Sequence, residues 1–176
     1  MEEIGVDALI ATTPENVTYS SNFWALPQWL RRGPQVYFAL SRQALQEDSW
    51  LVVGTGTLDL LASQQVWIDN VVRYGFFSLT GSVTSHGLDS DWVSAEQKRL
   101  SDLLDSPYGD GPAKALAHAI EKMGLTAGRL GIDEFGITPS VLAESCVNCF
   151  LSARSFRRAR RPGRYGQSRP RPRLRG

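Results

Sequence analysis

The side chains able to do chemistry in this sequence are few, and their spacing limits what they can do. Histidine occurs only at His86 and His118, and no HExxH pair is present. A zinc or two-metal hydrolase needs several His, Asp, Glu or Cys ligands converging on one pocket. His86 lies in a polar, glycine-flanked stretch and His118 in an amphipathic one, so both read as surface or half-buried imidazoles. Cys146 and Cys149 form a CxxC that lacks the second ligand pair of a zinc site. Three-residue spacing inside a helical pattern puts both thiols on one face, which suits small core side chains. Gly54 and Gly56 follow an apolar run in "VVGTGTLDLL", where backbone amides could cradle a phosphate. The third glycine of a dinucleotide fingerprint is replaced by Asp59, whose charge repels a pyrophosphate, and no P-loop lysine follows. A glycine turn capped by Thr57 is the better reading. Asp133-Glu134 follows another apolar run, where α/β sites often lie, and reads as a solvated acidic turn.

The most unusual stretch is "NFWALPQWLRR", which sets Phe23, Trp24 and Trp29 beside Arg31 and Arg32 around Pro27. Aromatic and arginine side chains together are what interfaces favour. The competing reading is that one of these rings closes the domain's own core, and the sequence leaves both open.

The elements that must position these residues alternate. "GVDALIAT" (5–12) is a short apolar run stopped by Thr-Pro, which favours a buried strand. Thr13 and Pro14 then predict a helix start, as N-cap and first helical residue. "QVYFALS" and "SWLVV" predict two strands, "TLDLLAS" a short helix and "VWIDNVVRY" a further strand. A helix is expected around 94–104. "GPAKALAHAIEKMGL" is the clearest helix, opened by Pro112, striped by Ala115, Leu116, Ala119, Ile120 and Met123, and closed by Gly124. "RLGID" predicts a strand and "TPSVLAESCVNCF" a last helix capped by Thr138. Strands alternating with helices imply a layered α/β domain.

Charge divides the chain sharply. All 18 acidic side chains lie at or before Glu144, whereas ten of the 19 basic ones are arginines from Arg154 onward. Nine basic against eighteen acidic groups give residues 1–153 a net −9, and the last 23 residues carry +10. No stretch approaches the roughly 18–20 apolar residues that a membrane crossing needs. Met-Glu-Glu lacks the basic and apolar regions of a signal peptide, so a cytoplasmic location is expected. Asn16-Val17-Thr18 fits a glycosylation sequon, which means little without secretion.

Three stretches carry a resemblance. "MEEIGVDALIATTPENVTYSSNFW" (Met1–Trp24) resembles the opening of the creatinase, prolidase and aminopeptidase P family. "RLGIDEFGITPSVL" (Arg129–Leu142) is similar to that family's Gly-Ile-Asp strand and following helix, and "FRRARRPG" to the start of its interdomain connection. Order and spacing fit over 1–161. The resemblance implies an α/β three-layer domain with a mixed central sheet and a ribonuclease-H-like motif over 1–156. It also implies a non-catalytic role: oligomer contacts and cover for the mouth of an active site. On that view Asn22, Phe23, Trp24, Trp29 and Arg31 form the substrate rim or interface. Catalytic and metal residues are none in this chain, because the two divalent ions and their carboxylate and histidine ligands belong to a catalytic domain beyond it. The expected partners are that domain or further copies of the chain.

The final stretch, 157–176, departs from the resemblance. After Arg161 the chain turns into Pro-Gly-Arg-Tyr-Gly and Arg-Pro alternation, which suggests a shifted frame or truncation and a disordered basic tail. The alternative is a nucleic-acid-associated protein using Arg157–Arg175 on phosphates. Only Tyr165 supplies an aromatic there and the body is acidic, which argues against it.

Overall fold

Apolar runs of four or five residues become strands here because each finds a parallel or antiparallel neighbour, and the helices between them cover both faces. A computed structural model of the chain describes residues 1, 5–30, 35–43, 47–76 and 93–133, and the backbone of 150–151. The strands are β1 (Ala8–Ala11), β2 (Tyr37–Ser41), β3 (Trp50–Gly54), β4 (Val71–Tyr74), β5 (Tyr108–Gly109), β6 (Leu130–Ile132) and β7 (Phe150–Leu151). The helices are α1 (Pro14–Ser21), α2 (Leu26–Trp29), α3 (Leu58–Ser63), α4 (Ala95–Leu104) and α5 (Pro112–Lys122). The sheet runs β5-β4-β3-β2-β1-β6-β7. Every pairing is parallel except the two that β2 makes with β1 and β3, so among the described strands β2 alone runs against the rest.

Period-two alternation splits the core into two layers. On one side Ile10, Tyr37, Ala39, Val52, Val72 and Leu130 pack against Ala115, Leu116, Ala119 and Ile120 of α5. On the other, Phe38, Leu51, Val53 and Val71 meet Val17 of α1, Leu58 and Leu61 of α3 and Leu103 of α4. Helix, mixed sheet and helix make a three-layer α/β fold. Each fully buried Val, Leu or Ile contributes about 1.5–3 kcal/mol, so Leu116 and Ile120 of the expected α5 stripe anchor its layer, with Met123 half-buried at the end. Gly109 lets β5 approach α5: a Cβ there would lie 2.4 Å from the backbone nitrogen of Ala115.

The local caps follow the sequence. Thr13 is extended and accepts from the Asn16 N–H, with Pro14 in the first turn of α1. Ser94 and Gln97 close a capping box on α4. Three expectations change. "VWIDNVVRY" is strand only from Val71; just before it the Asn70 carbonyl accepts from the Leu51 N–H at 2.9 Å and its side-chain amide donates to the Glu47 and Ser49 carbonyls. The stretch 138–149 lies outside the described residues, but Phe150, expected as the end of a helix, is strand β7 beside Leu130. The helix α2 and the strand β5 carry no propensity signal and were not expected.

Candidate functional site: an aromatic rim and a carboxylate clamp

The rim begins where α1 ends. Asn22 takes the left-handed conformation, φ 60°, which asparagine tolerates, and its N–H closes on the Thr18 carbonyl. Its side-chain amide donates to the Gln65 carbonyl at 2.7 Å. The turn drives Phe23 inward, where it is 0% exposed in the core among the α1 and α3 side chains. Phe23 therefore corrects the sequence reading: it belongs to the core and offers no rim surface. Trp24 points the other way, 44% exposed, and Trp29 at the end of α2 is 39% exposed. Leu26, Leu30 and Trp67 are exposed as well. The buried amide of Gln28 donates to the Val36 carbonyl at 3.0 Å and holds α2 against the sheet. The Trp67 indole donates to the Ser20 carbonyl at 2.9 Å and meets Phe38 edge-on at 5.8 Å. Arg31 lies outside the described residues. These exposed side chains are apolar and aromatic, of the types that contact surfaces favour.

The second feature is a clamp. Asp133, at the end of β6, is half-buried and receives five hydrogen bonds. Thr12 donates to Oδ1 from its N–H at 2.9 Å and its hydroxyl at 2.6 Å. Thr13 donates to Oδ2 from its N–H and its hydroxyl, both at 3.2 Å. The Asn16 amide donates to Oδ2 at 2.7 Å. A negative charge at the N-terminus of α1 is also favoured by the helix dipole. The reading of Asp133 as a solvated acidic turn is thus wrong: five donor groups from Thr12, Thr13 and Asn16 close on it. Glu134 lies outside the described residues. At the opposite end of the same strand pair, Asp7 does the reciprocal job. It accepts from the Arg129 N–H at 3.0 Å and from Arg42 Nη2 at 3.1 Å. Each of the two parallel strands therefore carries a carboxylate that binds the other. The clamp occupies the carboxyl ends of the parallel pair β1 and β6. It also uses the Asn16 amide nitrogen, which a glycan on the sequon would need.

Other chemistry-bearing residues are absorbed locally. The Thr55 hydroxyl donates to the Gly75 carbonyl at 2.7 Å and the Thr57 hydroxyl to the Gly54 carbonyl at 2.8 Å, so the glycine turn is self-satisfied. His118 is half-buried on α5. His86, Cys146 and Cys149 lie outside the described residues. Among the described residues no three His, Cys, Asp or Glu side chains converge as metal ligands, and no helix is long and apolar enough to cross a membrane. Tyr37 and Tyr74 are buried and both donate to Gln35, to its side-chain oxygen and its carbonyl respectively. Burial pushes the Tyr37 phenol up to about 12. Tyr74 is raised further, first by burial and then by Tyr37, against the pull of its bond to Gln35.

Comparison of the chain with protein-family models, with curated proteins and with solved structures finds no match.

Proposed function

We propose that this chain is the non-catalytic N-terminal domain of an Xaa-Pro dipeptidase- or aminopeptidase-like metallopeptidase. Its role is to make oligomer contacts and to cover the mouth of an active site formed elsewhere. One observation carries the reading: two of the three stretches that bear the resemblance, Met1–Trp24 and Arg129–Leu142, are physical partners, since Thr12, Thr13 and Asn16 of the first all donate to Asp133 of the second. A sheet in which β3-β2-β1-β6-β7 are adjacent with β2 reversed supports a ribonuclease-H-like motif for the domain. The exposed indoles of Trp24 and Trp29 are the contact residues, with a partner subunit or the catalytic domain as the expected cover. The two divalent ions of such an enzyme belong to that second domain, and the location is cytoplasmic.

Two measurements test this. Genomic sequence past the Arg161 codon should contain a frame encoding two Asp, one His and two Glu in metallopeptidase order. The purified chain, given manganese, cobalt or zinc, should release no product from Xaa-Pro peptides above the no-enzyme control. Turnover that copurifies with the chain overturns the reading.

A further inference from the structure

We propose that Gln64 is the positioning residue of the rim: its carboxamide fixes the backbone of Trp24 so that the exposed indole is presented from one place. The inference rests on the reading of the rim as a contact surface. An exposed loop peptide is ordinarily left to water. Here the Trp24 N–H donates to Gln64 Oε1 and Gln64 Nε2 donates to the Trp24 carbonyl, each at 2.8 Å. That is the two-bond exchange that neighbouring strands make, supplied by a single side chain. A primary amide carries donor and acceptor on one planar group, so glutamine can do this and glutamate can supply only the acceptor half.

Gln64 is itself anchored. Its carbonyl accepts from Arg99 Nη1 of α4 at 2.7 Å, just past the end of α3. Flanking bonds run from Asn22 to the Gln65 carbonyl and from the Trp67 indole to the Ser20 carbonyl. The 20–24 and 64–67 segments are thus stitched together, yet the Trp24 ring is left 44% exposed. Order is spent on the backbone under the indole rather than on the indole's own burial. An aromatic anchor held in this way loses less freedom when a partner covers it, which is how preorganised contact residues gain affinity.

The test uses the full chain, 15N-labelled, with Q64A, Q64E and W24S compared with the parent. Amide hydrogen exchange reads the Trp24 backbone, and sedimentation equilibrium reads self-association. Q64A should speed exchange of the Trp24 amide by about tenfold or more, with Ile10, Val52 and Leu116 unchanged. Q64E, keeping only the acceptor, should fall between. Association should weaken in Q64A toward the W24S level. An unchanged Trp24 amide in Q64A overturns the inference, and so does a loosened amide whose association stays at the parent value while W24S lowers it. If W24S leaves association untouched, the contact reading fails and the amide exchange alone decides the role of Gln64.

Discussion

Asp133 and Thr13 both serve the N-terminus of α1, and their expected costs differ. Removing an N-cap hydroxyl costs about 1 kcal/mol, so T13A should be mild. Asp133→Ala removes the acceptor of five hydrogen bonds that join β6 to the β1–α1 turn. Bonds to a charged acceptor contribute about 1.5–3 kcal/mol each in isolation, but they share one half-solvated group and do not add, so about 2–4 kcal/mol is expected in all. Urea midpoints of the two variants check the order, and a D133A no worse than T13A would mean water replaces the clamp. The buried phenols give a pH dependence of definite sign. Because burial holds the Tyr37 proton beyond its ordinary value of 10 to about 12, the unfolded chain loses that proton first as pH rises. The phenol's share of stability is therefore full below pH 10 and drains between 10 and about 12. Urea unfolding at pH 9 and pH 11 should show this loss in the parent and a smaller one in Y37F, with Gln35 losing one donor in the variant.

At the scale of elements, the rim tests how rings that adjoin in sequence divide their duties. Phe23 and Trp24 are consecutive, yet the Asn22 turn and the extended backbone after it send one into the core and one into water. Phe23→Ala should cost about 3–5 kcal/mol through the cavity it leaves. W24S with W29S should cost about 1 kcal/mol or less apiece and leave the fold intact. Thermal unfolding by circular dichroism separates the two, and a W24S/W29S chain that fails to fold would put those rings in the core. The sequence showed Trp24 and Trp29 as surface candidates but could not sort Phe23 from them, since composition names interface residue types and only the turn geometry aims each ring. The strands β1, β2, β3 and β6 were legible because an apolar run with a turn signal is a local property. Residues 66–70 were not: Val66, Trp67 and Ile68 look like strand by composition, but the Trp67 indole donates to the Ser20 carbonyl and the register with β3 begins at Val71. Strand β5 is two residues held by a parallel neighbour, with the Arg73 N–H donating to the Pro107 carbonyl at 2.8 Å and the Arg73 guanidinium over the Tyr108 ring. Nothing in Tyr-Gly announces that. The Asp133 clamp was hidden for the same reason: its donors lie about 120 residues away.

Across the whole molecule, the acidic body and the basic end answer to different physics. Among the described residues, helices lie on both faces of the sheet, α5 on one and α1, α3 and α4 on the other. The end supplies little to add: between Pro162 and Gly176 the only large apolar side chains are Tyr165 and Leu174. Ordering a residue costs about 1–2 kcal/mol of backbone entropy, and two such side chains offset only a small part of that for fifteen residues. Charge offers no rescue, because exposed ion pairs with the body contribute about 0–1 kcal/mol each and weaken with salt. Deleting Pro162–Gly176 should therefore leave the unfolding midpoint within about one degree of the parent, on the scale of roughly 2–4 °C per kcal/mol for a chain of this size. The comparison belongs at moderate salt, where surface attraction between the −9 body and the arginines is screened. A drop of several degrees there would show that the tail packs on the body, and with it the division of this chain into a folded acidic domain and an independent basic end would fall.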